Sequence, residues 1–127
     1  MATLAARLNR IEPGYVEIEC PYDEKLTQQH GFIHAGALSA LVDTAGGFAA
    51  LSLFAAGDGV LTVEFKINLL APADGQRFVA RGEVVRPGRT ITVTKGEVVA
   101  IKDDQETVCA VMQQTMMRIT GRPTVIG

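Results

Sequence analysis

The sequence predicts an α+β fold in which an antiparallel β-sheet curves around one long buried helix. Three observations predict it. The stretch from Ala35 to Ala55 is apolar or small at nearly every position. From Leu61 onward the hydrophobic pattern switches to a period of two, the mark of half-buried strands. The strands so defined are joined by short turns, which makes their neighbours antiparallel. A helix apolar on all sides needs a sheet curved around it and cover on its remaining side.

The elements follow in order along one domain, residues 1–127. In GYVEIEC, Val16, Ile18 and Cys20 alternate with Glu17 and Glu19, which predicts a strand from Gly14 to Cys20. Residues Pro21 to Gly31 are polar and read as a loop. The helix follows, from about Ala35 to Ala55. In LTVEFKINLL, Val63, Phe65, Ile67 and Leu69 are expected on one face and Thr62, Glu64, Lys66 and Asn68 on the other. Ala71 to Gly75 has the residue chemistry of a turn. Further strands are expected over Arg77–Arg86, over Thr90–Lys102 with a bulge near Gly96, and over Glu106–Ile119. This layout, a sheet as the bun and a helix as the sausage, is the hotdog fold.

The composition excludes several classes of function. A net charge of -2 offers no global basic field for nucleic acid. Cys20 and Cys109 stand far apart and form neither a disulfide framework nor a zinc-ribbon spacing. Free thiols fit a cytoplasmic protein. The first ten residues lack the long apolar core of a signal peptide. Residues 31–57 have the length of a membrane span, but they are rich in Gly and Ala and lack flanking Lys or Arg. A helix buried inside the protein's own core is the better reading.

At 100° per residue, Leu38, Leu41, Val42, Phe48 and Leu53 form a bulky face expected to pack on the sheet. The opposite face carries Gly36, Ser39, Ala40, Asp43, Gly46, Gly47 and Ala50, all small except Asp43. An unpaired buried carboxylate is costly by several kcal/mol, on the order of the penalty for an unpaired ion, so Asp43 must be paired, protonated or in use. At the helix start, the amides of Ala35, Gly36 and Ala37 are donors without intrahelical partners and form a candidate oxyanion site. Ala35 and Asp43 are eight residues apart, or ~12 Å along a helix. One carbonyl can touch both only if they come from two subunits. The small stripe would then be where two helices meet antiparallel across a twofold axis.

The segment QQHGFIHAGALSALVD, from Gln28 to Asp43, resembles the HGG-x6-D/E signature of PaaI-like and THEM2-like hotdog acyl-CoA thioesterases. The similarity extends over nearly the whole chain, including VEFKINLLAPA after the helix. The resemblance implies roles. Asp43 falls on the general base or nucleophile, and Ala35 on the glycine whose N–H polarises the thioester carbonyl, with Gly36 beside it. His34 falls on the histidine that orders this corner. Gln28 falls on an Asn or Gln that positions water or the carbonyl, and Thr62 on a Ser or Thr that holds the water. The motif here reads HAG rather than HGG; alanine keeps the N–H, and its methyl group narrows the site.

Other constellations carry less. His30 and His34 have the spacing of a zinc protease, but Gly31 stands where the glutamate belongs, so no metal is expected. Ser39 and Ser52 lack a GxSxG elbow. Arg86, Gly88 and Arg89, with Lys95 nearby, surround a turn that reads either as a solvated hairpin or as a clamp for the phosphates of CoA. Met112, Met116 and Met117 read as core or acyl-pocket residues. The resulting expectation is hydrolysis of an aromatic or short- to medium-chain acyl-CoA, with no cofactor, by a homo-oligomer with shared sites: a dimer, or a tetramer of two dimers. The alternatives are a non-catalytic acyl-CoA-binding module and a hotdog dehydratase; the Asp–His pair of the latter is not found.

Overall fold

The computed structural model describes residues 6–27 and 31–120. Strand β1 (Arg7–Glu12) and strand β2 (Tyr15–Pro21) form a hairpin through the positive-φ Gly14. A 3-10 turn at Glu24–Leu26 leads to helix α1 (Ala35–Leu51). Strands β3 (Gly59–Leu69), β4 (Arg77–Arg86), β5 (Ile91–Lys102) and β6 (Gln105–Ile119) follow. All six strands pair antiparallel in one sheet of order β1-β2-β4-β5-β6-β3. The helix lies across one face of this sheet, and Val16, Ile18, Leu41, Val42, Phe78 and Val98 form the centre of the core between them. The hotdog architecture is the one the sequence predicts. Among the described residues, no helix is long and apolar enough to cross a membrane.

Two glycines set the distance between helix and sheet. Gly82 on β4 and Gly96 on β5 are register partners. A Cβ on Gly82 would sit 2.5 Å from the helix backbone at Ala45 and Gly46, and one on Gly96 would sit 2.6 Å from Cγ2 of Val42. The missing side chains form a trough that takes the helix. The bulge expected near Gly96 is therefore absent; Gly96 pairs regularly with Gly82 and Met112. The extra residues that break the ladder are Asn9, Val63, Val85 and Cys109.

The bulge at Val63 changes the faces of β3. Before it, Val60 is buried and Thr62 reaches the helix. After it, Phe65, Ile67 and Leu69 pair with Gln114, Met112 and Ala110, which face the helix, and directly paired residues share a face. Thr62 thus shares its side with Phe65, Ile67 and Leu69, contrary to simple alternation. Glu64 pairs with Thr115 outside, where the Thr115 hydroxyl donates to its carboxylate at 3.0 Å.

Two features of the helix also differ from expectation. It ends at Leu51, four residues early. The Ser52 hydroxyl donates to the Ala49 carbonyl and accepts the Gly14 N–H at 2.8 Å, tying the helix end to the β1–β2 turn. Phe54 then turns back onto Ala50, Val60 and Met116, beneath the Arg118 guanidinium at 4.2 Å. Secondly, the stripe of small residues is partly filled by the chain itself. Gly46 and Ala50 are buried against β6 and β3, whereas Phe48 and Leu53, expected in the core, are each 38% exposed. The helix is rolled so that its small side, not only its bulky side, meets its own sheet.

Strand β1 has no alternation strong enough to be predicted, since all six residues are exposed. It is held by Glu19 on β2. Glu19 accepts from Arg7 at 2.9 Å, Asn9 at 3.2 Å and Arg77 at 2.6 Å, which links β1, β2 and β4. Burial by itself raises the Glu19 carboxyl, but these hydrogen bonds together outweigh it and hold the group below its ordinary value.

Two predictions follow from this packing. Gly82→Ala forces a methyl group into the helix backbone and should destabilise the protein by about 1–3 kcal/mol, read from urea unfolding. A folded-state pKa below the unfolded one contributes stability above the unfolded value of 4.5, and that contribution is lost as pH falls through the folded value. Glu19→Gln should therefore be less stable than wild type at pH 7, and thermal melts of the two should converge as pH falls through and below 4.5.

Candidate active site

Asp43 is half-buried in the third turn of α1, on the side facing β6 and β3. Its Oδ1 accepts two hydrogen bonds, from the Thr62 hydroxyl at 2.9 Å and from Gln114 Nε2 at 2.7 Å. The Gln114 amide also donates to the Asp43 carbonyl at 3.1 Å, and its own Oε1 accepts the Thr94 hydroxyl at 2.6 Å. Gln114 and Thr94 are both buried. Among the described residues no donor reaches Oδ2, and no cation lies within ion-pair distance of the carboxylate. Asp43 is thus a carboxylate with one oxygen fastened and one available.

Gly46 makes this possible. One helical turn places it over Gln114, and a Cβ there would fall 1.8 Å from Gln114 Oε1. Only a residue without a side chain lets the amide reach Asp43 past the helix surface.

The helix start forms a second cluster. His34 is the N-cap, and its Nδ1 accepts the Gly36 N–H at 2.9 Å. Its own N–H is held by the Leu26 carbonyl at 2.8 Å, and its carbonyl accepts from Ala37 and Leu38. Gly36 and Ala37 therefore have partners, contrary to the expectation of three free donors. The Ala35 N–H has no acceptor among the described residues. It borders an apolar cleft of about 310 Å³ lined by Ile33, Leu38, Leu69, Leu70 and Pro72.

The two clusters do not meet within one chain. They lie eight residues apart along the helix, ~12 Å by helical rise. Thr62 joins Asp43, while His34, Ala35 and Gly36 stay together at the helix start. Gln28 and His30 lie outside the described residues. Arg86 and Arg89 are exposed beside the β4–β5 turn, and neither forms an ion pair among the described residues. Gly88 shapes that turn, because a Cβ there would collide with the Ile91 carbonyl. Lys95 does not belong to the turn; it sits in mid-strand, 3.3 Å from Glu83. Among the described residues, no three His, Cys, Asp or Glu side chains gather into a metal site. Cys20 and Cys109 are buried, and burial pushes both thiols up, away from nucleophilic thiolate.

A family model described as the thioesterase superfamily matches residues 30–107, which include α1, Asp43 and β3. The chain belongs to the thioesterase superfamily. Among other proteins similar to this superfamily member, a thioesterase family protein from Silicibacter pomeroyi is 52% identical, with a TM-score of 0.94 over 95% of this chain and 89% of that one. A Saccharolobus solfataricus protein named "Putative esterase" is 37% identical over 74% of this chain, and the match spans 66% of its length. The PaaI protein of E. coli, from the phenylacetic acid degradation operon, superposes with a TM-score of 0.84 over 99% of this chain and 86% of its own, at 21% identity, a likeness of fold.

Gln114 and Thr94 are the residues of the candidate site around Asp43 that sequence reasoning missed. A signal was present. Gln114 stands between Met112 and Met116 with their parity on a strand, so an inward-facing amide was legible there. Its partner was not, because nothing along the chain relates position 114 to position 43.

Proposed function

We propose that this chain is an acyl-CoA thioesterase whose active site forms between two copies. The observation that carries this reading is the position of β3. Strand β3 is an edge of the sheet and exposes Leu61, Val63, Phe65 and Leu69. A long apolar edge of this kind calls for a partner. Near its start it carries Thr62, bonded to Asp43; at its end, Leu69 lines the cleft beside the free Ala35 amide. Antiparallel pairing of β3 with its twofold copy, centred near Phe65, lays the Asp43 end of one chain against the Ala35 end of the other. The ~12 Å that separates the two groups along one helix then separates them no longer.

The chemistry follows from the two groups. The Ala35 N–H, at a helix N-terminus, receives the thioester oxygen as negative charge develops on it. His34 caps that turn and leaves Ala35 as the available donor. Oδ2 of Asp43 from the other chain either takes a proton from water as it attacks the carbonyl carbon, or attacks that carbon itself. The carbon–sulfur bond breaks and CoA leaves as its thiol; in the first route the acyl group leaves directly as the free acid, and in the second it leaves once water has hydrolysed the Asp43–acyl anhydride. An apolar cleft beside Ala35 suits an aromatic or short- to medium-chain acyl group. Arg86 and Arg89, which form no ion pair among the described residues, supply guanidinium groups suited to the CoA phosphates. Two such dimers back to back would make a tetramer, and buried cysteines outside any disulfide fit the cytoplasm.

Asp43→Asn keeps the size of the side chain and removes the base. Thiol release from a panel of aromatic, short and medium acyl-CoAs should fall at least about a hundredfold, with folding intact. Mixing these subunits with Ala35→Pro subunits, which lack the N–H, should restore part of the activity, because a hybrid dimer carries one complete site. A fully active Asp43→Asn protein would remove Asp43 from the chemistry, and no rescue in proven heterodimers would place both groups in one chain.

Arg86→Ala with Arg89→Ala should raise KM for acyl-CoA severalfold and leave kcat within about twofold, because the phosphates bind alike in ground and transition states. Unchanged KM would return the turn to an ordinary hairpin.

A further inference from the structure

Gln114 has no role in the reading above, yet it is the most buried polar side chain in contact with Asp43. All of its hydrogen-bonding capacity is directed. The Asp43 carbonyl and Oδ1 can only accept, so Nε2 must face them, and Oε1 then accepts the Thr94 hydroxyl at 2.6 Å. Both Nε2 protons then go to Asp43, one to the backbone carbonyl at 3.1 Å and one to Oδ1 at 2.7 Å. Thr62 approaches the same Oδ1 from β3. Oδ1 is saturated by two donors, and Oδ2 has none among the described residues.

We propose that Gln114 is a positioning residue: oriented by Thr94, it fastens Oδ1 of Asp43 and leaves Oδ2 as the oxygen that acts on the substrate. The proposal rests on Asp43 being the acting carboxylate. Its physical content is twofold. Carbonyl and side-chain bonds from one amide fix the carboxylate relative to its own backbone, so χ1 and χ2 are no longer free. Gly46 belongs to the same device, since its missing side chain is where the amide passes. The inward positions facing Asp43 are Thr62 on β3, Gln114 and Met116 on β6 and Thr94 on β5, and none of them ionises. Glu64 on β3 faces away towards Thr115, and Arg118 on β6 faces Phe54 and Asp58. Hydrogen bonds, rather than an ion pair, therefore hold this carboxylate among the described residues.

The test uses Gln114→Met, which keeps length and removes both donors, together with Thr94→Val and its conservative counterpart Thr94→Ser. Two quantities are measured: the χ1 rotamer of Asp43 from NMR three-bond couplings in the free protein, and kcat and KM on the best thioester substrate. In Gln114→Met the Asp43 side chain should average over more than one χ1 rotamer, where the wild type holds one. Its kcat should fall about tenfold or more, with KM within about twofold. Thr94→Val should shift both readouts in the same direction by less, and Thr94→Ser should restore them. An unchanged Asp43 rotamer and unchanged kcat in folded Gln114→Met would overturn the proposal. If that variant does not fold, wild-type behaviour of Thr94→Val overturns it instead. The NMR couplings need no substrate, so a wild type that cleaves no thioester would refute the thioesterase reading while the fastening of Asp43 is still decided.

Discussion

The helix of this protein rests on the bare backbone of its sheet, and the rest of the structure depends on that approach. Gly82 and Gly96 stand side by side in register, and Ala45 and Val42 of the helix fill the space where their side chains would be. Apolar side chains on both surfaces would hold a helix and a sheet farther apart. Here the close seat brings the small residues of the helix flank within reach of β6 and β3 as well. The core gains dense contact from small residues. It also gains something a thicker core would not allow: side chains of the sheet can reach the main chain of the helix.

Gln114 uses that opening. A buried amide with unmet donors or acceptors would be destabilising by about 1–3 kcal/mol per group. This one has a partner for every group that matters, from Thr94 below and Asp43 above. The polar chain Thr94–Gln114–Asp43–Thr62 runs from β5 through β6 and the helix to β3. It ends at an edge strand. That ending is the link between stability and function: the interior side of the chain is satisfied, and the remaining carboxylate oxygen lies at the side where the sheet has no further strand.

How much of this was legible in the sequence varies with how local each cause is. The central helix, the strands β2 to β6 and the hotdog order follow from local periodicity and turn chemistry, and the structure agrees with them to within a few residues, apart from the helix C-terminus. The helix end was not legible, because Ala55 and Ala56 prolong the apolar run and the stop is a contact between Ser52 and Gly14, 38 residues away. Strand β1 was not legible either. It is an exposed edge held through the ion pairs of Glu19, and edges of this kind carry no alternating signature. Asp43 stood out at once as a carboxylate in an apolar helix, and Thr62 was reached only through the family resemblance.

The sequence by itself determined which segments coil and which extend, and that one carboxylate would sit within the buried helix, because those outcomes depend on residues a few positions apart. Tertiary structure decided which way the side chains face. The bulge at Val63 turns Thr62 to the same side as Phe65 and Ile67, the roll of the helix buries Gly46 and exposes Phe48, and the meeting of β5, β6 and α1 gives Gln114 its partners. The physical reason is the same in each case. A period along the chain fixes orientation only relative to its own element, whereas bulge, roll and hydrogen-bond partner are set by what the neighbouring element presents.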